Sequence, residues 1–423
     1  MNAQATAPRA AGPTLVRGGA LLSLAVLVAN GGNYVLNLFL ARVLTPAEFA
    51  DANLMVTFLF VLTSVALCLQ LVAARFVATS DELGFSGDAD LLARRLRRTA
   101  LVAGVVAGAV LALGAPVWSL VFRTASPWPF AILGAGVPFW LVQAVGRGVL
   151  QARSRFGPLA LSYVVEMIAR LGLGVLLVST GSGVVGATTA LSLSFVLTSV
   201  VVRIASRSRP GPVGATIEPG EVRAFAGLVS ILLVGQIVAA NSDVLVAKAS
   251  FSPADAGVYA AVALVGRAVF FLASSVATVV FPEAARRRAS GRDSSSVLRA
   301  AVAVVVLIGA TCSAGALWLG GPVLGVVLGP AYGGLSVPLA AYAGVTTLFA
   351  VASLVAGYRL SQDRVTESWL LLAAALLQLV LLLILHDDTA MLIGVQAVAM
   401  GLLVAVLAVR AALAARERRG ARP

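Results

Sequence analysis

Four arginines stand inside long apolar stretches of this 423-residue chain: Arg75, Arg147, Arg170 and Arg267. An arginine at the centre of a membrane helix costs roughly 3 kcal/mol or more, so such residues face protein or water and mark function. The planar guanidinium holds phosphate or carboxylate in a bidentate manner. The chemistry these residues can do is therefore anion binding. Arg267, eleven residues into its apolar run, lies close to the middle of its span, and Arg170 is at similar depth. Arg170 follows Glu166 by four residues, one helical turn, and the two can form an ion pair on one helix face. A neutral structural pair is the simpler reading there. Arg147 has no acidic neighbour in its own helix. Arg75 lies at the end of its run and is placed to snorkel to headgroups, as are Arg42 and Lys248.

Polar side chains accompany the arginines. Asn30, Asn33 and Asn37 are three and four residues apart and share one face of a helix. Gln236 and Asp243, seven apart, share one face of another. A polar stripe must face protein or water, so these residues either bond neighbouring helices or line a cavity. With Glu166 and Asp243 as the carboxylates counted within the spans, arginine leads by four to two. That surplus suits an anionic ligand. Glu166 and Asp243 are the candidates for a coupling ion. No catalytic group, metal set or cofactor motif is expected. His386, Asp387 and Asp388 read as a solvated turn, and Cys68 and Cys312 as buried apolar residues.

These residues need an apolar scaffold. Sixty per cent of the chain is hydrophobic and 12% charged, about half the usual charged share of a soluble domain. Stretches of twenty or more apolar residues predict twelve spans, near 18–41, 50–75, 98–122, 129–151, 158–180, 185–205, 223–248, 256–282, 298–320, 335–359, 367–386 and 390–411. Pro116 and Pro138 fall within two of them and can kink them. The first run is too long for a signal peptide's core.

With the N-terminus inside, seven cytoplasmic segments hold 24 of the 31 basic residues; Arg42, Arg123 and Lys248 lie opposite and four lie within spans. That bias predicts cytoplasmic termini and an even helix count. It also accounts for the net charge of +13 without nucleic acid, since dispersed arginines face anionic headgroups.

The halves repeat. Asn30, Asn37 and Arg42 match Gln236, Asp243 and Lys248 at an offset of 206, and Pro46 matches Pro253 at 207. Thr45 with Glu48, and Ser252 with Asp255, each have the spacing of a capping box around a proline at the first helical position. The expected organisation is an all-α membrane protein. It comprises a cytoplasmic tail (1–17), a six-helix bundle (18–205), a cytoplasmic linker (206–222), a second six-helix bundle (223–411) and a basic cytoplasmic tail (412–423). Two parallel six-helix repeats place a site between them, as in transporters.

The run from Asn37 through Arg42, Thr45 and Pro46 to Phe49 resembles the first-helix signature of Wzx-type polysaccharide flippases. Ser242 to Lys248, Ala256 to Ala260, Phe281-Pro282 and Gly329 to Tyr332 are similar to the same family. The resemblance spans nearly the whole chain. These flippases belong with the multidrug and toxin extrusion (MATE) exporters and the peptidoglycan-precursor flippases. The resemblance implies two bundles forming a V around a cationic cleft. It implies a polyprenyl-pyrophosphate-linked glycan as cargo, the cytoplasmic (inner) membrane as location and a monomer without cofactor. A polysaccharide polymerase and glycosyltransferases are the expected partners. A thirteenth and fourteenth helix, found in peptidoglycan-precursor flippases, are not evident. The alternatives are a drug–cation exporter of the same fold, which would want surplus carboxylate, and a membrane glycosyltransferase or polymerase, which would want a long outer loop.

Overall fold

A computed structural model describes residues 13–207, 211–214, 218–273, 275–276, 287, 295–360, 362 and 364–420. Phe281-Pro282 and Arg9, Arg209, Arg286, Arg288, Arg292 and Arg422 of the sequence reading lie outside them. Among the described residues the regular structure is helical throughout.

The first helices are α1 (Pro13–Val43), α2 (Pro46–Glu82), α3 (Ser86–Leu113) and the short α4 (Ala115–Val121). They are followed by α5 (Trp128–Ala152), α6 (Phe156–Leu177) and α7 (Gly183–Ala205). Next come α8 (Pro219–Ser250) and α9 (Pro253–Gly266). The last four are α10 (Ser295–Val327), α11 (Ser336–Leu360), α12 (Thr366–Ile384) and α13 (Thr389–Gly420). Among the described residues, eleven helical stretches are long and apolar enough to cross a membrane. One of them, Phe156–Ala205, contains both α6 and α7. Gly181, with φ 89°, breaks it into two, which gives the twelve expected spans. Pro116 does not kink a continuous helix. It lies in the first turn of α4, after α3 has ended at Leu113, where its missing N–H costs nothing. Pro138 is inside α5.

Both repeated loops start helices as their spacing requires. Thr45 Oγ1 and backbone N–H each donate to Glu48 Oε2, at 2.8 and 3.0 Å, and Glu48 N–H donates to Thr45 Oγ1 at 3.3 Å. Ser252 Oγ donates to Asp255 Oδ2 at 2.6 Å and accepts from Asp255 N–H at 3.2 Å. Pro46 and Pro253 open α2 and α9.

Packing divides the chain into two compact units. The first comprises Met1–Leu36, Val65–Ala115 and Trp128–Ala226; the second comprises Asn37–Ser64, Pro116–Pro127 and Gly227–Pro423. In the first, α3 crosses α5 so closely that a Cβ on Gly108 would lie 2.3 Å from the Gly134 carbonyl oxygen. Small residues let membrane helices approach this way, because dispersion and not the hydrophobic effect drives their association. Trp140 of α5 rests on Phe195 of α7 with ring centroids 4.7 Å apart. In the second, α11, α12 and α13 share a core that includes Phe349, Leu371 and Met400. Gln378 of α12 donates to the Ala239 carbonyl at 2.9 Å and to Ser242 Oγ at 3.1 Å, fastening α12 to α8.

Candidate functional site

The first unit holds a buried charged triad. Gln143 and Arg147 are one turn apart on α5, and Ser162, Glu166 and Arg170 stand at four-residue intervals on α6. These spacings align each set along one face. Glu166 accepts from Arg147 Nη2 at 2.7 Å and from Gln143 Nε2 at 2.9 Å through Oε2. Its Oε1 accepts from Arg170 Nη2 at 2.5 Å. Arg147 also donates to Ser162 Oγ and to the Ser162 carbonyl, both at 3.1 Å. Its guanidinium lies 4.0 Å from the centre of the Tyr163 ring. Arg170 donates to Asn33 Oδ1 of α1 at 3.0 Å and reaches Ser194 Oγ of α7 at 3.4 Å. All three charged residues are buried. Burial of a charge is tolerated only with pairing and hydrogen bonds, and two guanidiniums share one carboxylate here. The triad carries one net positive charge.

The second unit holds a neutral network around Asp243, which is fully buried on α8. Tyr259 of α9 and Tyr342 of α11 donate to Asp243 Oδ2 at 2.9 and 2.8 Å. Arg267 Nη2 donates to Oδ1 at 3.1 Å. Arg267 also reaches Tyr342 Oη at 3.2 Å and Asn241 Oδ1 at 3.4 Å. Gln396 of α13 donates to Tyr259 Oη at 3.0 Å. Arg267, read from sequence as an anion binder, therefore has a carboxylate partner, 24 residues away in sequence. Its side chain keeps 17% exposure, against none for Asp243.

The remaining candidates are dispersed. Asn33 joins the triad, Asn30 is exposed on the same helix, and Asn37 is half-buried within the second unit. Gln236 is half-buried on α8. Arg75 is exposed, with its guanidinium 4.5 Å from the Phe225 ring centre, a cation–π contact.

Lys248 differs from its expected role as a snorkelling residue. It is 3% exposed and its Nζ lies 2.6 Å from Asp51 Oδ1. The contact has ion-pair distance without hydrogen-bond alignment, so both atoms lack a hydrogen-bond partner. Asp51 Oδ2 accepts from the Ala125 N–H at 3.0 Å. A buried aspartate in the first turns of α2 gives Lys248 a partner closer than any headgroup. Among these buried groups, Arg147, Arg170, Arg267 and Lys248 face Glu166, Asp243 and Asp51. The cationic surplus is thus one charge, and it lies in the triad.

Gln143, Ser162, Tyr259, Tyr342 and Gln396 were not singled out from sequence. The four-residue steps from Gln143 to Arg147 and from Ser162 to Glu166 are the local signals that could have found two of them. Tyr259 lies within a family-like run, and its one polar neighbour at helical spacing, Asp255, belongs to the capping box. Asp388, in the turn read as solvated, accepts the Met391 N–H at 2.7 Å and caps α13. Among the described residues no group of three His, Cys, Asp or Glu side chains could hold a metal.

The fold has well-matched counterparts among solved structures. A multidrug resistance MATE family transporter of the MOP superfamily, in its inward-facing conformation, superposes with TM-score 0.75 at 16% identity, covering 96% of this chain and 98% of that one. The lipid II flippase MurJ, inward closed, superposes with TM-score 0.69 at 15% identity over 92% of this chain and 87% of the other. A MOP superfamily transporter from Pyrococcus furiosus, whose binding pocket is described as having reverse polarity, gives TM-score 0.65 at 17% identity, with 97% of both chains covered. At such identities the likeness establishes the fold. No curated protein matches significantly. The family described as "Polysaccharide biosynthesis protein" matches residues 39–336, well over half of the sequence. The chain belongs to the polysaccharide biosynthesis protein family, and its many long apolar helices make it a multi-pass membrane protein with the fold of the MATE and MurJ structures.

Proposed function

We propose that this protein moves a polyprenyl-pyrophosphate-linked oligosaccharide across the cytoplasmic membrane by alternating access, for polysaccharide assembly. The observation that carries the reading is the buried Arg147–Glu166–Arg170 triad, whose net positive charge is held inside a protein of a polysaccharide biosynthesis family. A cation kept at the cost of burial has its best partner in a bound anion, and a diphosphate offers arginine bidentate acceptors. Arg147 and Arg170 bind diphosphate in this scheme, and Arg267, in its own unit, is a second anion ligand that exchanges Asp243 for phosphate. Asn30, Asn33, Asn37 and Gln236 contact sugar, and Arg75 attracts the headgroup at the rim. The polyprenyl tail stays in lipid.

The distribution of basic residues supports cytoplasmic termini. Carrying two negative charges out of an electrically negative cell gains about 4.6 kcal/mol per 100 mV, so the membrane potential can drive export. Of the two coupling candidates, Glu166 is the poorer proton carrier, since protonating it would break two ion pairs at once. Asp243 has two tyrosine hydroxyls to support it when Arg267 leaves. The work is translocation and not catalysis. Glycosyltransferases that build the cargo and a polymerase that consumes it are its functional partners, and the transporter works as a monomer.

Arg147→Gln removes the surplus charge and leaves Glu166 paired with Arg170, so the fold should survive. Surface glycan should be lost while the protein persists in the membrane at its normal level. Normal glycan export by this variant would overturn the assignment. The likeness to a multidrug transporter supports a second reading, export of organic cations; the cationic triad argues against it, because like charges repel.

A further inference from the structure

The second unit contains a cavity of about 610 Å³ that shares no residue with the Asp243 network. It lies among the start of α10, the end of α11, the start of α12 and the last turns of α13. Among the described residues, four guanidiniums line it, from Arg299, Arg359, Arg364 and Arg410, against one carboxylate, that of Glu367. The remaining lining is aliphatic, including Val302, Val351, Val355 and Val404.

That charge balance is not settled internally. Arg359 Nε and Glu367 Oε1 are 3.8 Å apart, too far for a hydrogen bond. Arg359 Nε and Glu367 Oε2 are buried without a hydrogen-bond partner. Such an atom costs about 1–3 kcal/mol unless something else satisfies it. Arg359 stands in the last turn of α11, where a helix dipole favours a cation, whereas Arg410 is too far from the end of α13 to gain from it. Arg299 has no such support, since it lies in the second turn of α10, near the positive end of that dipole. Three net positive charges gathered with an apolar wall fit an amphiphile with an anionic head. Basic pockets between membrane helices bind anionic lipid headgroups on this principle.

We propose that this cavity is a binding site for an anionic membrane phospholipid. The phosphate sits among Arg299, Arg359, Arg364 and Arg410 and takes a hydrogen bond from Arg359 Nε. The first methylenes of its chains lie on the valine wall. The shared chemistry with free phosphate is the anionic head; the aliphatic wall selects the lipid. The site is separate from the transport residues and does not depend on the identity of the cargo.

The test uses the full-length protein purified in a mild detergent, with thermal unfolding followed as lipid is added. Phosphatidylglycerol should raise the unfolding temperature, while phosphatidylcholine and inorganic phosphate at equal concentration should not. Arg359→Gln combined with Arg410→Gln should weaken the phosphatidylglycerol effect at least tenfold in concentration. Because Arg359 is partly buried, Arg299→Gln with Arg364→Gln, both exposed, provides a variant that keeps the fold and should show a similar loss. Equal stabilisation by phosphatidylcholine, or undiminished stabilisation of the Arg299/Arg364 variant, would overturn the proposal. Stabilisation by inorganic phosphate as strong as by lipid would overturn the lipid assignment too.

Discussion

Replacing Glu166 by alanine will destabilise the protein by about 3–5 kcal/mol, the cost of breaking a buried ion pair by removing one partner. The upper part of that range is expected, because one carboxylate serves two cations. Arg147 and Arg170 are 4% and 8% exposed, so water cannot take over as a counter-charge. Arg170 would keep Asn33 and Ser194, and Arg147 would keep Ser162, all of them neutral acceptors. Adding Arg170→Met to Glu166→Ala should recover a large part of the loss. The double variant then contains one buried cation where the triad holds two cations and an anion, so recovery is incomplete. Thermal unfolding of the detergent-solubilised protein measures both. A Glu166→Ala protein within 1 kcal/mol of the unaltered one would show that the triad is hydrated or mobile, and its proposed role as a fixed anion receptor would fail.

The Asp51–Lys248 pair should behave differently when both members are replaced. Lys248→Met alone leaves Asp51, 5% exposed, with the Ala125 N–H as its remaining described donor, and a loss of about 3–5 kcal/mol follows. Asp51→Leu together with Lys248→Met should return to within about 1 kcal/mol of the starting stability or exceed it. A well-packed apolar pair often equals or surpasses a buried ion pair, whose desolvation cancels its attraction. The orphaned Ala125 N–H subtracts roughly 1 kcal/mol. The surroundings leave little room for relaxation. A Cβ on Gly257 would meet the Pro46 carbonyl oxygen, so α9 and the start of α2 are in backbone contact beside the pair. Phe58 meanwhile packs edge-on against Phe122, 5.5 Å away. If the double variant is as unstable as the single one, packing and not charge holds this junction.

Local signals read well from sequence and long-range ones did not. The spans follow from apolar length alone. The capping boxes at Thr45–Glu48 and Ser252–Asp255 follow from three-residue spacings, and the Glu166–Arg170 pair from a four-residue one. Each involves atoms whose distance the helix itself fixes. The second partner of Glu166 comes from another helix, 19 residues earlier, and no spacing encodes that approach. Lys248 and Asp51 are 197 positions apart, and leaving Asp51 out of the carboxylates counted within the spans made the excess of cations look larger than it is. Arg267 is the clearest case. Its depth marked it as functional, but its electrostatic state depends on Asp243, whose partners Tyr259 and Tyr342 come from two other helices, with Gln396 holding Tyr259 from a third. Hydropathy placed the charges within long apolar helices; only packing could say which of them neutralise each other.

The central claim is that the protein translocates a lipid-linked glycan. The most direct measurement uses purified protein reconstituted in vesicles that carry a labelled polyprenyl-pyrophosphate oligosaccharide, with appearance of glycan on the opposite leaflet followed by an impermeant enzyme or lectin. The account predicts protein-dependent translocation that is lost in Arg147→Gln and accelerated by a membrane potential positive on the receiving side. Translocation indifferent to Arg147, or none at all beside protein-dependent efflux of an organic cation from the same vesicles, would contradict it.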